Sequence, residues 1–239
     1  INGYGGNDTL KGNDGNDTFF LGGYGETVID GGSGIDTFRV GLGKLEYPRV
    51  DTGSSKSISL DGSSYLRVDD TLDSPLDLSG SYTLEAWVKP DNLDAEFQSV
   101  FAKSYSHNSE NWAYGIYKMG SDPLVSLASY PTGLTEAEWW STQQDIAISS
   151  ANLLDNEWHH LAYVVNTTDR TFSSYLDGIL YASVDLPIGY LDIRQNDFDL
   201  IIGGQGTSDT TANRFWTGDL DEIRIWDVAR SSDQIGTSY

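Results

Sequence analysis

The chain has 239 residues, with 14 Lys plus Arg against 36 Asp plus Glu and a formal net charge of −22. So acidic a surface repels phosphate and draws cations, which argues against nucleic acid and anionic membranes as partners. There is no cysteine, so a disulfide framework, a thiol zinc site and a thiol nucleophile are excluded, and no apolar run approaches membrane-spanning length.

The first feature in chain order is a glycine-rich nonapeptide written four times: GYGGNDTLK (3–11), GNDGNDTFF (12–20), GGYGETVID (22–30) and GGSGIDTFR (31–39). The glycines let the backbone turn tightly and aim carbonyls inward, and the aspartate at the sixth position supplies a carboxylate. A large apolar residue follows on a very short strand, here Leu10, Phe19, Ile29 and Phe38. Each unit is too short to bury a core alone, so stacking and metal neutralisation must carry the fold. Because Ile1 already lies inside a repeat, the chain reads as a fragment of something longer, monomeric by expectation.

This pattern resembles the RTX repeat G-G-x-G-x-D-x-U-x, where U is a large apolar residue. The resemblance implies a short parallel β-roll over residues 1–43, with successive copies on alternate sides and calcium between copies two apart. Copies two and four both keep the pattern. The resemblance therefore implies one ion between Asp17 and Asp36, with carbonyls of Gly12, Asp14, Gly31 and Ser33 as further oxygen ligands. Thr27 stands where copy three should carry an aspartate, and Leu21 is an extra residue, so a site around Asp8 is expected to be weak or missing.

Residues 44–55 read as a connector, and 56–239 as a second domain. There, short apolar or alternating runs are punctuated by Gly, Asp, Asn and Ser, without a sustained helical period. Strands are expected over 57–60, 65–68, 82–88, 99–103, 113–117, 125–128, 145–148, 158–165, 172–176, 179–184, 200–202 and 220–225. Asp177-Gly178 is a type I′ hairpin signal, and only the tail, 231–235, suggests a helical turn. The fold class is all-β: a short parallel β-roll followed by a two-sheet antiparallel jelly-roll sandwich.

The segments SISLDGSSYLRV (57–68), YTLEAWVKP (82–90), NEWHHLAYVVN (156–166), YLDGILYAS (175–183), LIIGGQ (200–205) and GDLDEIRIWDVARS (218–231) are similar, in order and spacing, to laminin G-like, concanavalin A-like jelly-roll domains related to pentraxins. The resemblance implies a recognition surface at a sheet edge or concave face, for carbohydrate or protein ligands, often with calcium. It also implies a second calcium where the early SLDG turn meets the late DLDE strand, with Asp61 and Asp221 as ligands. Turn capping explains Asp61 equally well.

Cleavage of a glycosidic bond needs two carboxylates flanking it. Asp219, Asp221 and Glu222 come closest, but they depart from the E-x-D-x-x-E arrangement of jelly-roll glycosidases, and the Arg, His and Tyr signatures of the lyases are missing. The expectation is a non-enzyme. His159 and His160 are adjacent on a strand, face opposite sides and read as packing residues, while His107 lies in a loop. Trp87, Trp158 and Trp226 fall in strand segments and are expected in or near the core.

The longest polar loops, 104–112, 130–144 and 205–216, carry the residue types of a sugar site. Asn108, Glu110, Asn111, Asp209, Asn213 and Arg214 are the polar candidates; Trp112, Trp139, Trp140 and Trp216 are candidate stacking platforms or, alternatively, caps on the core. The whole reads as a calcium-dependent extracellular module that binds glycans or cell-surface polysaccharide, within a bacterial RTX adhesin exported by type I secretion. The alternatives are an accessory or structural domain of a secreted polysaccharide-degrading enzyme, or a peptide- or protein-binding module.

Overall fold

A computed structural model describes residues 2–3, 8–15, 18–21, 27–30, 37–40, 57–70, 74–93, 97–104, 112–118, 124–129, 131–208 and 211–238. The chain begins with five short strands: β1 (Asn2–Gly3), β2 (Asp8–Lys11), β3 (Thr18–Leu21), β4 (Thr27–Asp30) and β5 (Thr37–Val40). They pair in parallel and by alternation, β1 with β3 and β3 with β5, while β2 pairs with β4. The registers match equivalent positions of the nonapeptide, Phe19 beside Phe38 and Leu10 beside Ile29. Asn13 (φ 71) and Gly15 (φ 116) flank Asp14 in the left-handed region, a conformation that costs glycine little.

The strands β6 (Ile58–Asp61), β7 (Tyr65–Val68), β8 (Tyr82–Pro90), β9 (Gln98–Ser104), β10 (Trp112–Lys118), β11 (Leu124–Ser129), β12 (Pro131–Thr132) and β13 (Ile148–Ser149) follow. Next come β14 (His159–Asn166), β15 (Thr171–Leu176), β16 (Ile179–Asp185), β17 (Asp192–Ile193), β18 (Leu200–Ile202), β19 (Gln205–Ser208), β20 (Thr211–Asn213) and β21 (Thr217–Trp226). Among the described residues these make a six-stranded sheet, β16-β15-β14-β8-β21-β6, and a nine-stranded sheet, β1-β3-β5-β7-β18-β9-β10-β11-β13. The nine-stranded sheet runs from the nonapeptides into the sandwich without a break, because β5 pairs in parallel with β7 through Thr37 and Tyr65, Phe38 and Leu66, Arg39 and Arg67. The remaining sandwich pairings of the two sheets are antiparallel. Asp177 (φ 51) and Gly178 (φ 74) both adopt the positive φ that a type I′ turn demands.

Residues alternate along each strand, so one side of each sheet meets the other across a core that includes Leu84, Val88, Phe101, Ile116, Leu161, Tyr163, Phe172, Leu200 and Leu220. One helix departs from expectation. The stretch read as loop 130–144 and strand 145–148 contains α1 (Glu136–Asp145), with strand structure among its described residues only at β12 and the start of β13. Its start is a capping box: Glu138 Oε2 accepts from Thr135 N (2.9 Å) and Thr135 Oγ1 (2.6 Å), and Glu138 N donates to Thr135 Oγ1 (3.4 Å). The helix drives Trp139 into the core, where its ring stacks on Phe172 at 5.3 Å.

The outer face of the six-stranded sheet is occupied by the chain's own C-terminal segment. Ile235 of α2 (Ser232–Ser238) is buried with Ala162, Val164 and Tyr175. Thr83 Oγ1 donates to Val228 O (2.8 Å) and accepts from Arg230 N (2.9 Å). Arg230 Nη1 donates to Oε1 of the fully buried Glu85 at 2.5 Å, with its guanidinium 4.6 Å over the Trp226 ring.

Candidate functional site

The outer face of the nine-stranded sheet is covered at its centre as well, since every residue of β9 and β10 is buried. It carries its own small apolar cluster, Ala102, Trp112, Tyr117 and Ala147 with Phe97 packed against it. The β19–β20 hairpin folds over this face. A Cβ at Gly206 would stand 2.9 Å from Ser104 O, and Arg214 O accepts from Ser99 N at 2.9 Å. The hairpin springs from Gly203, whose φ of +76 favours glycine and where a Cβ would also displace Leu60 Cδ1, 2.3 Å away. Arg214 itself has φ 53, a strained value for a side-chain-bearing residue. That backbone lays its guanidinium 4.1 Å over the Phe97 ring.

Asn213 and Arg214 are therefore half-buried neighbours at the rim of this face. Phe215 stacks on Tyr65 at 6.1 Å, and Trp216 turns inward, its N donating to Gly203 O at 3.0 Å. Beneath the hairpin, Ser99 Oγ, Ser104 Oγ and Asn213 Oδ1 are buried and lack a hydrogen-bond partner among the described residues, which suits ordered water.

The stacking platforms need correction. Trp112, Trp139 and Trp216 are 3%, 1% and 0% exposed and offer no ring face to a ligand. Trp112 fills the small outer cluster against Tyr117, and Trp139 and Trp216 fill the main core, because burying an indole stabilises the sandwich more than leaving it in a loop. Trp140 lies on α1, but its side chain is outside the described residues, as are Asn108, Glu110, Asn111 and Asp209. Phe97, the aromatic partner of Arg214, was not among the expected site residues; its signal was an aromatic directly after the acid-rich stretch 91–96.

The metal candidates divide similarly. Gly12 is half-buried and Asp14 exposed, whereas Asp17, Gly31, Ser33 and Asp36 lie outside the described residues. Asp61 and Asp221 do not converge. Asp61 pairs with Thr217 across β6 and β21, four residues from Asp221, or about 13 Å along the strand at ~3.3 Å per residue. Asp61 Oδ1 instead caps its turn, accepting from Ser63 N (2.9 Å) and Ser63 Oγ (2.8 Å), while Asp221 Oδ1 accepts from Glu222 N (2.7 Å). Among the described residues no group of three His, Asp or Glu is placed to hold a metal.

Two charged clusters have structural partners. Glu222 sits at a β-bulge with φ 46 and is ion-paired with Arg224, so it is not poised as a general acid or base beside Asp219 and Asp221. His159 bridges Asp177 Oδ2 through Nδ1 and Asp155 Oδ1 through Nε2, both at 3.0 Å, so its nitrogens point to different carboxylates rather than to one ion. His160, on the opposite face, is buried beside Trp87 and 3.7 Å from Glu85.

Residues 60–236 match the family model described as the concanavalin A-like lectin/glucanases superfamily. The human neuronal pentraxin receptor is 32% identical over 89 residues, which cover 35% of this chain and 17% of that protein. Among solved structures, the CBM40 of the Ruminococcus gnavus IT-sialidase is similar with a TM-score of 0.51 at 13% identity, over 77% of this chain and 96% of that one. The binding domain of Paraclostridial Mosquitocidal Protein 1 gives 0.52 at 16% identity, over 79% and 44%. At these identities the likeness is one of fold. No helix among the described residues is long and apolar enough to cross a membrane.

Proposed function

The chain belongs to the concanavalin A-like lectin/glucanases superfamily, and from that premise we propose that it is an extracellular, calcium-dependent carbohydrate-binding module of a bacterial secreted or surface protein. The observation that carries this reading is the half-buried rim formed by Phe97, Asn213 and Arg214 beside the β19–β20 hairpin. A guanidinium held on an aromatic ring donates to hydroxyl or carboxylate oxygens in a fixed plane, and the neighbouring Asn213 amide adds Nδ2 donors, its Oδ1 being buried. That donor set suits the hydroxyl-rich edge of a sugar.

Calcium belongs to the nonapeptides in this reading. The donors are all hard oxygens, carboxylates of Asp17 and Asp36 and carbonyls of Gly12, Asp14, Gly31 and Ser33, which fits a cation that takes six to eight such ligands. The aspartates immediately precede Thr18 and Thr37 in sequence, and those threonines are Cα partners. The alternating parallel ladders β1–β3–β5 and β2–β4 support a β-roll. Bound calcium supplies charge neutralisation to a chain of net charge −22. The chain's own residues bind and orient the sugar, and no catalytic step is assigned.

A protein partner is the second reading, favoured by β16. It is the edge of the six-stranded sheet and exposes Ile179, Leu180 and Tyr181, a surface suited to an added strand. A glycan array probed with the full chain in calcium and in EGTA separates the readings. Retention of a subset of glycans in calcium, lost in EGTA, is expected. Binding that ignores EGTA removes the calcium dependence, and no glycan retained in calcium removes the carbohydrate reading.

A further inference from the structure

The repeats and the candidate sugar rim are joined by a short physical path. Thr37 of β5 is the Cα partner of Tyr65 of β7. Tyr65, only 2% exposed, stacks on Phe215 with ring planes 23° apart. Phe215 directly follows Arg214, whose positive φ and contact with Phe97 make its position depend on the backbone at 213–215. A parallel route runs through the ladder itself, since β7 pairs with β18 and β18 leads through Gly203 and Gly204 into the β19–β20 hairpin.

Without β5, β7 would be an edge strand of four residues, paired on one side with three positions of β18 and tied to it by the Arg67–Asp199 ion pair (2.8 Å) beside the strand. Short edge strands open locally at far lower free energy than central ones. Opening of β7 releases Tyr65 from beneath Phe215 and frees the backbone that poses Arg214.

We infer that the nonapeptide stack is an in-sheet switch for the ligand rim: its ordering by calcium seats β5 on β7, and Tyr65 transmits this to Arg214 through Phe215. The inference rests on the calcium reading of the repeats and adds that calcium governs a surface it does not touch. A spacer that merely held the sandwich away from the rest of a longer chain would leave the rim indifferent to the ion.

The test uses the full chain and calcium alone as the probe. Hydrogen exchange is followed over residues 65–68 and 211–217, with and without calcium, against sodium chloride at equal ionic strength. Calcium uptake is measured separately by calorimetry. We expect protection in both segments to rise about tenfold with calcium, within the roughly 5–150-fold range of site-to-site coupling, and not with sodium chloride. Asp36→Ala should abolish the rise. Phe215→Leu should keep calcium uptake and the gain at 65–68 but lose the gain at 211–214. If calcium binds and neither segment responds, or if sodium chloride reproduces the response, the switch is overturned while the calcium reading survives. If Phe215→Leu changes nothing, the route through Tyr65 is overturned. If calorimetry finds no calcium uptake, both ideas fall.

Discussion

Two residues show how burial settles what composition leaves open. Trp139 sits at 1% exposure against Phe172 and Tyr190, so it is core and not platform. Trp139→Ala should cost about 3–5 kcal/mol and lower the thermal midpoint, while the protein that remains folded binds glycan as before. A variant that keeps its midpoint and loses glycan would reinstate the platform. Glu85 is the opposite case, a carboxylate with no exposed surface. Burial alone pushes its carboxyl up, but His160 and Arg230 beside it outweigh burial and hold it below the usual carboxylate range. Its folded value lies under its unfolded one, so the stabilisation is complete above the unfolded carboxylate range and is lost as pH falls through the folded value. Between about pH 7 and about pH 3 the urea midpoint of the wild type should fall more than that of Glu85→Gln, and parallel curves would refute the assignment. Arg230→Ala strands the charge and should cost about 3–5 kcal/mol, less whatever Arg224, 3.7 Å from Glu85 Oε2, recovers.

Elements were legible where a local rule governs them. Short apolar or alternating runs bounded by turn residues mark β14, β15 and β18 to within a residue, and Asp177-Gly178 announces its turn, because such runs and positive φ are short-range properties. Helix α1 escaped because it has one buried tryptophan and no apolar stripe, although Thr135 and Glu138 spell a capping box. The Glu85–Arg230 latch and the Lys103 ion pairs with Asp70 (2.8 Å) and Asp77 (3.1 Å) are not readable, since their partners meet only through the fold. The proposed rim joins two residues named from the sequence, Asn213 and Arg214, to Phe97, which was not. Asn213 and Arg214 were singled out by residue type alone, but the aromatic that Arg214 meets depends on where the hairpin folds. The segment before β14 gives a prediction at this scale. His159 ties Asp155, in that segment, to Asp177 in the β15–β16 turn. Burial pushes its imidazole down, but the hydrogen bonds to Asp177 and Asp155 outweigh it and the net shift is upward. The folded value exceeds the unfolded one, so the clasp contributes fully below the free-histidine value near ~6.5 and fades as pH rises through the folded value. The difference in thermal midpoint between wild type and His159→Gln should be larger at about pH 6 than at about pH 9; the same difference at both would remove the clasp.

Over the whole molecule, two surfaces are already spoken for. Among the described residues, the C-terminal segment closes one outer face and β5 extends the other sheet at β7, while the β19–β20 side, the proposed recognition surface, and the β16 edge remain. The central claim is that this side binds carbohydrate through Arg214. The most direct measurement is a glycan array in calcium with wild type and Arg214→Ala side by side, with thermal midpoints taken on the same samples. Arg214 is partly exposed on a rim, so its loss should leave the midpoint nearly unchanged. Losing a charge-assisted hydrogen bond should reduce retention on the wild-type glycans by about tenfold or more. An Arg214→Ala profile identical to the wild type, or a wild type that retains no glycan, would contradict the account.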